Sequence, residues 1–297
     1  TMSSSTLTVN AAATTAAGGT LNLTSTTTAT LNAVMGASTD TVVLVDDGWT
    51  LGGGADVVTL ANTGLTVTKG STGEKITGGT GNDTIKFASA VLTATDTIDG
   101  GAGTDVLQST DETAIVDADF TLVTNVETLT GGTAANSLIA TIGTEAAQAG
   151  ILTATFTDVG AGTDALTVAA GFTNALTVNM DATNINTVDA SAFTKVLTVA
   201  TTAEILNDAT HVLKGGTASD ILSITADGGV AATVTSIVDI ENITVVGDAG
   251  AFNWTAHDNN ADTASTITVD ATSMSGGTKA ATINMLAEKD AARSEER

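Results

Sequence analysis

Between residues 165 and 199 one short pattern returns four times: ALTV at 165–168, ALTV at 175–178, INTV at 185–188 and VLTV at 196–199. The intervals are 10, 10 and 11 residues. Apolar and threonine positions alternate, and a period of two places one face of a strand in a core and the other in solvent. Turns rich in Gly, Asn, Asp and Ala separate the copies. Near-identical strands at even spacing predict an all-β fold, a parallel β-solenoid or β-roll in which each coil covers the apolar edge of its neighbour.

A longer recurrence lies over the short one. GGAGTDVL (100–107), VGAGTDAL (159–166) and GGTASDIL (215–222) open three similar stretches, with Asp105, Asp164 and Asp220 spaced 59 and 56 residues apart. Each leads to a second signature: TNVETLTGG (124–132), TNINTVDAS (183–191) or DIENITVVG (239–247). A third, VDASAF (188–193), returns as VDATSM (269–274). These matches delimit a repeat region at 51–285. Residues 1–50 form a more degenerate β region or cap, and 286–297 form a polar tail. Helix signals are poor, confined to 285–297 and a short TEAAQA stretch at 144–149.

Composition supports a thin, layered core. Hydrophobic residues make up 42% of the 297-residue chain, but aromatics only 3%: Trp49, Trp254 and six Phe. The two tryptophans are expected to cap or pad layers. The apolar content is Ala, Val, Leu and Ile, and β-branched residues favour strands. There is no cysteine, which excludes disulfides, cysteine-based zinc sites and thiol chemistry. No apolar run is long enough to span a membrane as a helix. The start, TMSSSTLTVN, lacks the basic and apolar regions of a signal peptide. Export by another route, a fragment of a longer chain and an intracellular protein all stay open.

The net charge of −24, from 33 acidic and 9 basic residues, makes a compact state repel itself unless cations neutralise it. It also argues against nucleic acid, whose phosphates need a basic face. Halophilic adaptation would load the whole surface with charge, yet only 14% of residues are charged. Aspartates set in glycine-rich loops point to ligation instead.

Two loops carry that chemistry: GGTGNDTIK (78–86) and GGAGTDVLQ (100–108). Both fit G-G-x-G-x-D-x-U-x, where U is a large aliphatic residue. Calcium takes six to eight hard oxygen ligands. Glycines can turn their carbonyls inward, the aspartate adds a carboxylate, and a stacked loop completes the sphere. These residues resemble the RTX nonapeptide repeats of bacterial proteins exported by type I secretion. More loosely, 75–285 resembles RTX-type S-layer and cell-surface proteins. The resemblance implies calcium loops at Gly78, Gly79, Gly81 and Asp83 and at Gly100, Gly101, Gly103 and Asp105. Family loops recur every nine or 18 residues, whereas Asp83 and Asp105 are 22 apart. Either some residues, such as FASA (87–90), bulge out, or the loops do not face each other regularly.

Degenerate copies add Asp56, Asp164 and Asp220 as weaker calcium candidates, each with a simple loop acid as the alternative. GGTAANSL (131–138) and GGTKAATI (276–283) place Asn136 and Ala281 at the acid position and should bind weakly or not at all. Asp99 is either an extra ligand or a turn former. Glu127 and Glu241 are expected to face solvent or bond to a neighbouring coil, with metal ligation as the alternative. His211 and His257 stand alone, and no zinc or serine-hydrolase signature occurs. A carboxylate pair for glycoside hydrolysis is not marked, and a catalytic domain hidden in 1–70 is the least favoured reading.

The expectation is therefore a secreted, calcium-ordered structural protein rather than an enzyme. It would be an S-layer or matrix subunit forming a homo-oligomer or lattice at the cell surface, with surface polysaccharide as a further partner. The competing expectation is a spacer or ligand-binding module of a large adhesin, with ice binding as a narrower form.

Overall fold

The computed structural model describes residues 7–10, 31–34, 41–44, 49–51, 55–70, 72–112, 114–131, 137–157, 162–180, 185–202, 210–225, 230–233, 237–246, 252–257, 266–270, 281–287 and 292–296. The chain forms a parallel β-solenoid of short strands, as the repeat predicts. Among the described residues every strand pairing is parallel and joins elements one coil apart. Contacts divide the chain into two compact units, Thr1–Gly132 with Thr144–Ile151 and Thr133–Gly143 with Leu152–Arg297.

In the first unit one sheet runs through Leu7–Asn10, Leu31–Val34, Trp49–Thr50, Thr66–Thr68, Thr84–Phe87, Val106–Ser109 and Thr128–Thr130. A second runs through Thr41–Leu44, Val57–Leu60, Lys75–Thr77, Thr97–Asp99 and Val123–Thr124. The chain alternates between them, so each coil has two strands and two corners.

Register stacks identical positions into columns. Trp49, Val67, Ile85, Leu107 and Leu129 form one, and Val58, Ile76, Ile98 and Val123 face it from the other sheet. All are buried. Each such side chain contributes about 1.5–3 kcal/mol on burial, so the columns supply most of the drive for stacking. Trp49 thus pads a layer as expected; the side chain of Trp254 lies outside the described residues.

The second unit repeats the scheme. Thr153–Thr155, Leu176–Asn179, Leu197–Thr202, Ile221–Thr225, Asn242–Val246, Thr266–Asp270 and Ala292–Glu296 share one sheet. Ile139–Ile142, Thr163–Val168, Ile185–Asp189, Val212–Lys214 and Ile237–Val238 share another. The four 10-residue copies are therefore half-coils placed alternately on the two sheets. A further three-stranded sheet joins Val230–Thr233, Phe252–His257 and Ala281–Ala287.

One expectation needs correction. The described residues of 285–297 are not helical: Ala281–Ala287 and Ala292–Glu296 are strands, the latter in register with Thr266–Asp270. The helix at Thr144–Ala149 does form. The Asp117 carboxylate accepts the N–H groups of Glu145 and Ala146 at 3.2 and 3.0 Å, satisfying donors that a short helix leaves open at its start. Of the two alternatives for the 22-residue interval, the extra residues bulge out, at the corner opposite the glycine loops, and the loops face each other. Phe87 ends a strand with its ring buried, and the chain turns through Ser89–Val91 at the opposite corner. No helix among the described residues is long and apolar enough to cross a membrane.

Candidate functional site: a glycine corner with a carboxylate ladder

The glycine loops lie at the corner that leads into the Thr84–Phe87 and Val106–Ser109 strands, one coil apart. The 22-residue interval does not separate them, because the added residues are absorbed at the far corner. Thr84 pairs with Val106, and the Asp83 N–H donates to Asp105 Oδ1 at 2.7 Å. Glycine is required here by close approach. A methyl group at Gly78 would land on the Gly100 carbonyl oxygen, and Gly101 has φ +95°, a conformation that side chains rarely adopt. Gly79, Gly81, Gly100 and Gly103 are equally crowded by neighbouring coils.

The motif aspartates point inward. Asp83 and Asp105 are both fully buried. They form a ladder in which each acid binds the backbone of the coil before it. Leu65 N–H donates to Asp83 Oδ1 at 2.7 Å, Asp83 N–H to Asp105 Oδ1 at 2.7 Å, and Asp105 N–H to Glu127 Oε2 at 2.8 Å. Asp83 Oδ2 accepts the Gly79 N–H at 3.2 Å.

The corresponding Asp105 Oδ2 has no hydrogen-bond partner, although it is buried. The Gly101 N–H, which could have served it, donates instead to Asp99 Oδ1 at 3.1 Å. That oxygen also accepts from the Asn125 side chain at 2.8 Å. Asp99 Oδ1 thus ties the turn at Gly101 to the Asn125 corner. Burial pushes the Asp105 carboxyl up to about 6, the bond from Asp83 N–H opposes the shift, and the charges of Asp83, Glu127 and Asp99 add to it.

The second unit repeats this corner at 215–220. Leu197 N–H donates to Asp220 Oδ1 at 2.8 Å, Gly216 N–H to Oδ2 at 2.6 Å, and Asp220 N–H to Glu241 Oε2 at 2.8 Å. Burial raises the carboxyls of both Asp220 and Glu241. The NVE (125–127) and DIE (239–241) signatures are thus three-residue corners covering a glycine corner. Asn125 and Asp239 share φ 53°, Val126 and Ile240 are buried, and the longer glutamate reaches the aspartate backbone. Glu127 and Glu241 each bond to the backbone of a neighbouring coil.

Asp164 and Asp56 fall elsewhere. Asp164 accepts the Leu138 N–H at 2.5 Å, but lies within Thr163–Val168, on a different sheet from the strand that follows Asp220. The 56-residue interval between them therefore joins opposite corners. Its stack continues through Asn186, whose N–H donates to His211 Nδ1 at 2.9 Å, so the histidine replaces an acid in the same structural role. Asp56 precedes Val57, in register with Lys75 and Thr97, and so stacks with Glu74 and Asp96 rather than with Asp83. Residues 132–136 and 276–280, the degraded glycine loops, lie outside the described residues, as do the His257 side chain and residues 52–54 and 158–161.

The far corner holds a group the motif reading missed. Lys69, Glu74 and Asp96 are buried together, with Lys69 Nζ 3.2 Å from Glu74 Oε2 and 2.8 Å from Asp96 Oδ1. A signal was present in the sequence. The acid-x-aliphatic pattern of Asp83-Thr84-Ile85 occurs also in Glu74-Lys75-Ile76 and Asp96-Thr97-Ile98, without the glycines.

Among the described residues no three His, Cys, Asp or Glu side chains converge to hold a metal ion. The glycine corner offers one carboxylate per coil, so most ligands would have to be backbone carbonyl oxygens, which calcium accepts. The partnerless Asp105 Oδ2 fits such an ion. Fold and corner define a class, a parallel β-solenoid whose coils are tied by inward acids. No family model, curated protein or solved structure matches the chain.

Proposed function

We propose that the chain is a calcium-ordered structural protein of the cell surface, an S-layer or matrix subunit that self-assembles once calcium stiffens its solenoid. The observation that carries this reading is the buried Asp105 Oδ2, an acceptor without a donor in a glycine-lined corner. Asp105, with Asp83 and the carbonyls of Gly78, Gly79, Gly81, Gly100, Gly101 and Gly103, would hold the ion; Asp220, whose two oxygens accept backbone N–H groups as those of Asp83 do, marks the equivalent corner in the second unit. Calcium supplies positive charge there; the protein supplies a rigid corner. The charge of −24 supports a need for such neutralisation.

The test is calorimetric titration with calcium, followed by electron microscopy of the loaded protein. Saturable binding lost in Asp105→Asn, with ordered two-dimensional arrays, is the expected result. Loaded protein that stays monomeric but adheres to cells, glycans or ice would point instead to an adhesin module. Absence of any calcium heat would remove the metal from the reading.

A further inference from the structure

The far corner of the first unit holds a lysine, a glutamate and an aspartate arranged for more than an ion pair. Lys69 comes from one coil and Asp96 from the next, and both side chains are fully excluded from solvent, as is that of Glu74. The ammonium donates to the Val91 carbonyl at 2.7 Å and pairs with Asp96 Oδ1 at 2.8 Å, while Glu74 Oε2 lies 3.2 Å away as an ion-pair contact without hydrogen-bond geometry. The aspartate is polarised at both oxygens. Oδ1 accepts the Glu74 N–H at 3.0 Å, while Oδ2 accepts the Thr93 N–H at 2.8 Å and the Thr93 hydroxyl at 3.2 Å. The second glutamate oxygen is fixed by the Gly70 N–H at 3.2 Å.

Three full charges away from water carry a large desolvation cost. A proton passing from Nζ to a carboxylate removes two of them. What is left is an amine 2.8 Å from a carboxyl oxygen, one bond from the carbon it would attack. From this geometry we propose that Lys69 and Asp96 join in an intramolecular isopeptide bond, with Glu74 carrying the protons.

The step balances without any further reactant. The Nζ lone pair attacks Asp96 Cγ, and the C–N bond forms. The developing negative charge on Oδ2 falls between the two Thr93 donors, which act as an oxyanion hole. Two of the three ammonium protons pass through Glu74 to Oδ1, the C–Oδ1 bond breaks, and water leaves. Glu74 ends as it began. Fixed contact without intervening solvent supplies the proximity that makes amide formation from unactivated partners feasible. The product ties successive coils covalently at the corner opposite the glycine loops, in a chain with no cysteine for disulfides.

Denaturing intact-mass spectrometry of the purified full chain decides the matter. The expected mass is one water below that of the sequence, and a proteolytic fragment should contain the Lys69 and Asp96 segments joined at those side chains. Lys69→Arg keeps the charge but should return the full mass, and Glu74→Gln should leave most of the chain unlinked while retaining its β circular dichroism. Full sequence mass in the unsubstituted chain, or a lost water mapped to another position, overturns the proposal. Glu74→Gln linked as completely and as fast as the parent chain overturns the proton-carrying role. Calcium takes no part, so the outcome is independent of the reading given for the glycine corner.

Discussion

Asp83 and Asp105 occupy the same position in successive coils yet differ in one oxygen. Both carboxylate oxygens of Asp83 accept backbone N–H groups, whereas Asp105 spends one and keeps one. The two should respond differently to substitution. Asp83→Ala leaves the Leu65 and Gly79 donors buried and unpaired, at about 1–3 kcal/mol each. A loss of about 2–6 kcal/mol in chemical denaturation of the metal-free chain is expected. Asp105→Asn keeps an acceptor for the Asp83 N–H and removes a buried charge. The metal-free chain should be as stable as the parent or more so, while the stabilisation by calcium should disappear; equal calcium stabilisation in the variant would contradict the assignment.

The raised carboxyls set the pH dependence. Asp105 titrates near 6 in the folded chain against 3.8 unfolded, and Asp220 and Glu241 are shifted the same way. For an acid raised on folding, the folded chain binds more protons in the window between the two values, so stability falls as pH rises through it. The metal-free protein is expected to melt at lower temperature at pH 7 than at pH 5. Asp189 acts oppositely at lower pH, because Ser191 and Lys214 hold its carboxyl down. Saturating calcium should flatten the slope between 5 and 7, which melts followed by circular dichroism will show.

At the scale of the corner, glycine is dictated by the next coil more than by its own backbone. Gly78→Ala would drive a methyl group into the Gly100 carbonyl, and Gly100→Ala into that of Asn125. Neither obstacle is a side chain that can swing away, so either change should cost about 3 kcal/mol or more, comparable to severe overpacking. Thr80→Ala, at an exposed position in the same loop, should lie within about 0.5 kcal/mol of the parent. Urea denaturation of the three variants makes the comparison.

The same corner explains what was readable in advance. Strand periodicity and the GGxGxD pattern are local, so the solenoid and the inward aliphatics could be read from spacing, whereas the 22-residue interval left the stacking of the two glycine loops open until pairing showed it. Which corner a turn belongs to is not local. Asp56 and Asp164 carry acid-x-aliphatic patterns as good as that of Asp220, but the half-coil length allows either sheet to follow, and only pairing decides. The Lys69 cluster escaped for the same reason, since its members lie 5 and 22 residues apart and meet only after two coils have stacked. The direction of Asp83 was also hidden. A carboxylate that binds an ion and one that binds a preceding N–H share one sequence.

At the scale of the molecule, charge and topology pull against each other. A solenoid buries its apolar columns between neighbours only, so its stability is roughly a sum of coil terms and interface terms. A net charge of −24 opposes every interface at once. Two kinds of relief are possible and they differ in dose. Screening by simple salt acts on all exposed acids and needs ionic strengths near 0.1 M, where the Debye length shrinks to about 10 Å. Occupation of the glycine corners acts at a few buried groups and saturates, stabilising by an amount that grows with the logarithm of free ion over its dissociation constant. If the corners are what the charge requires, millimolar calcium should raise the melting temperature further than sodium chloride or magnesium chloride at matched ionic strength. Magnesium is the sharper control, since it has the same charge but dehydrates reluctantly and demands a regular octahedral shell. Equal effects of calcium and magnesium would mean that diffuse screening, rather than ions seated at Asp105 and Asp220, lets this acidic chain close its coils.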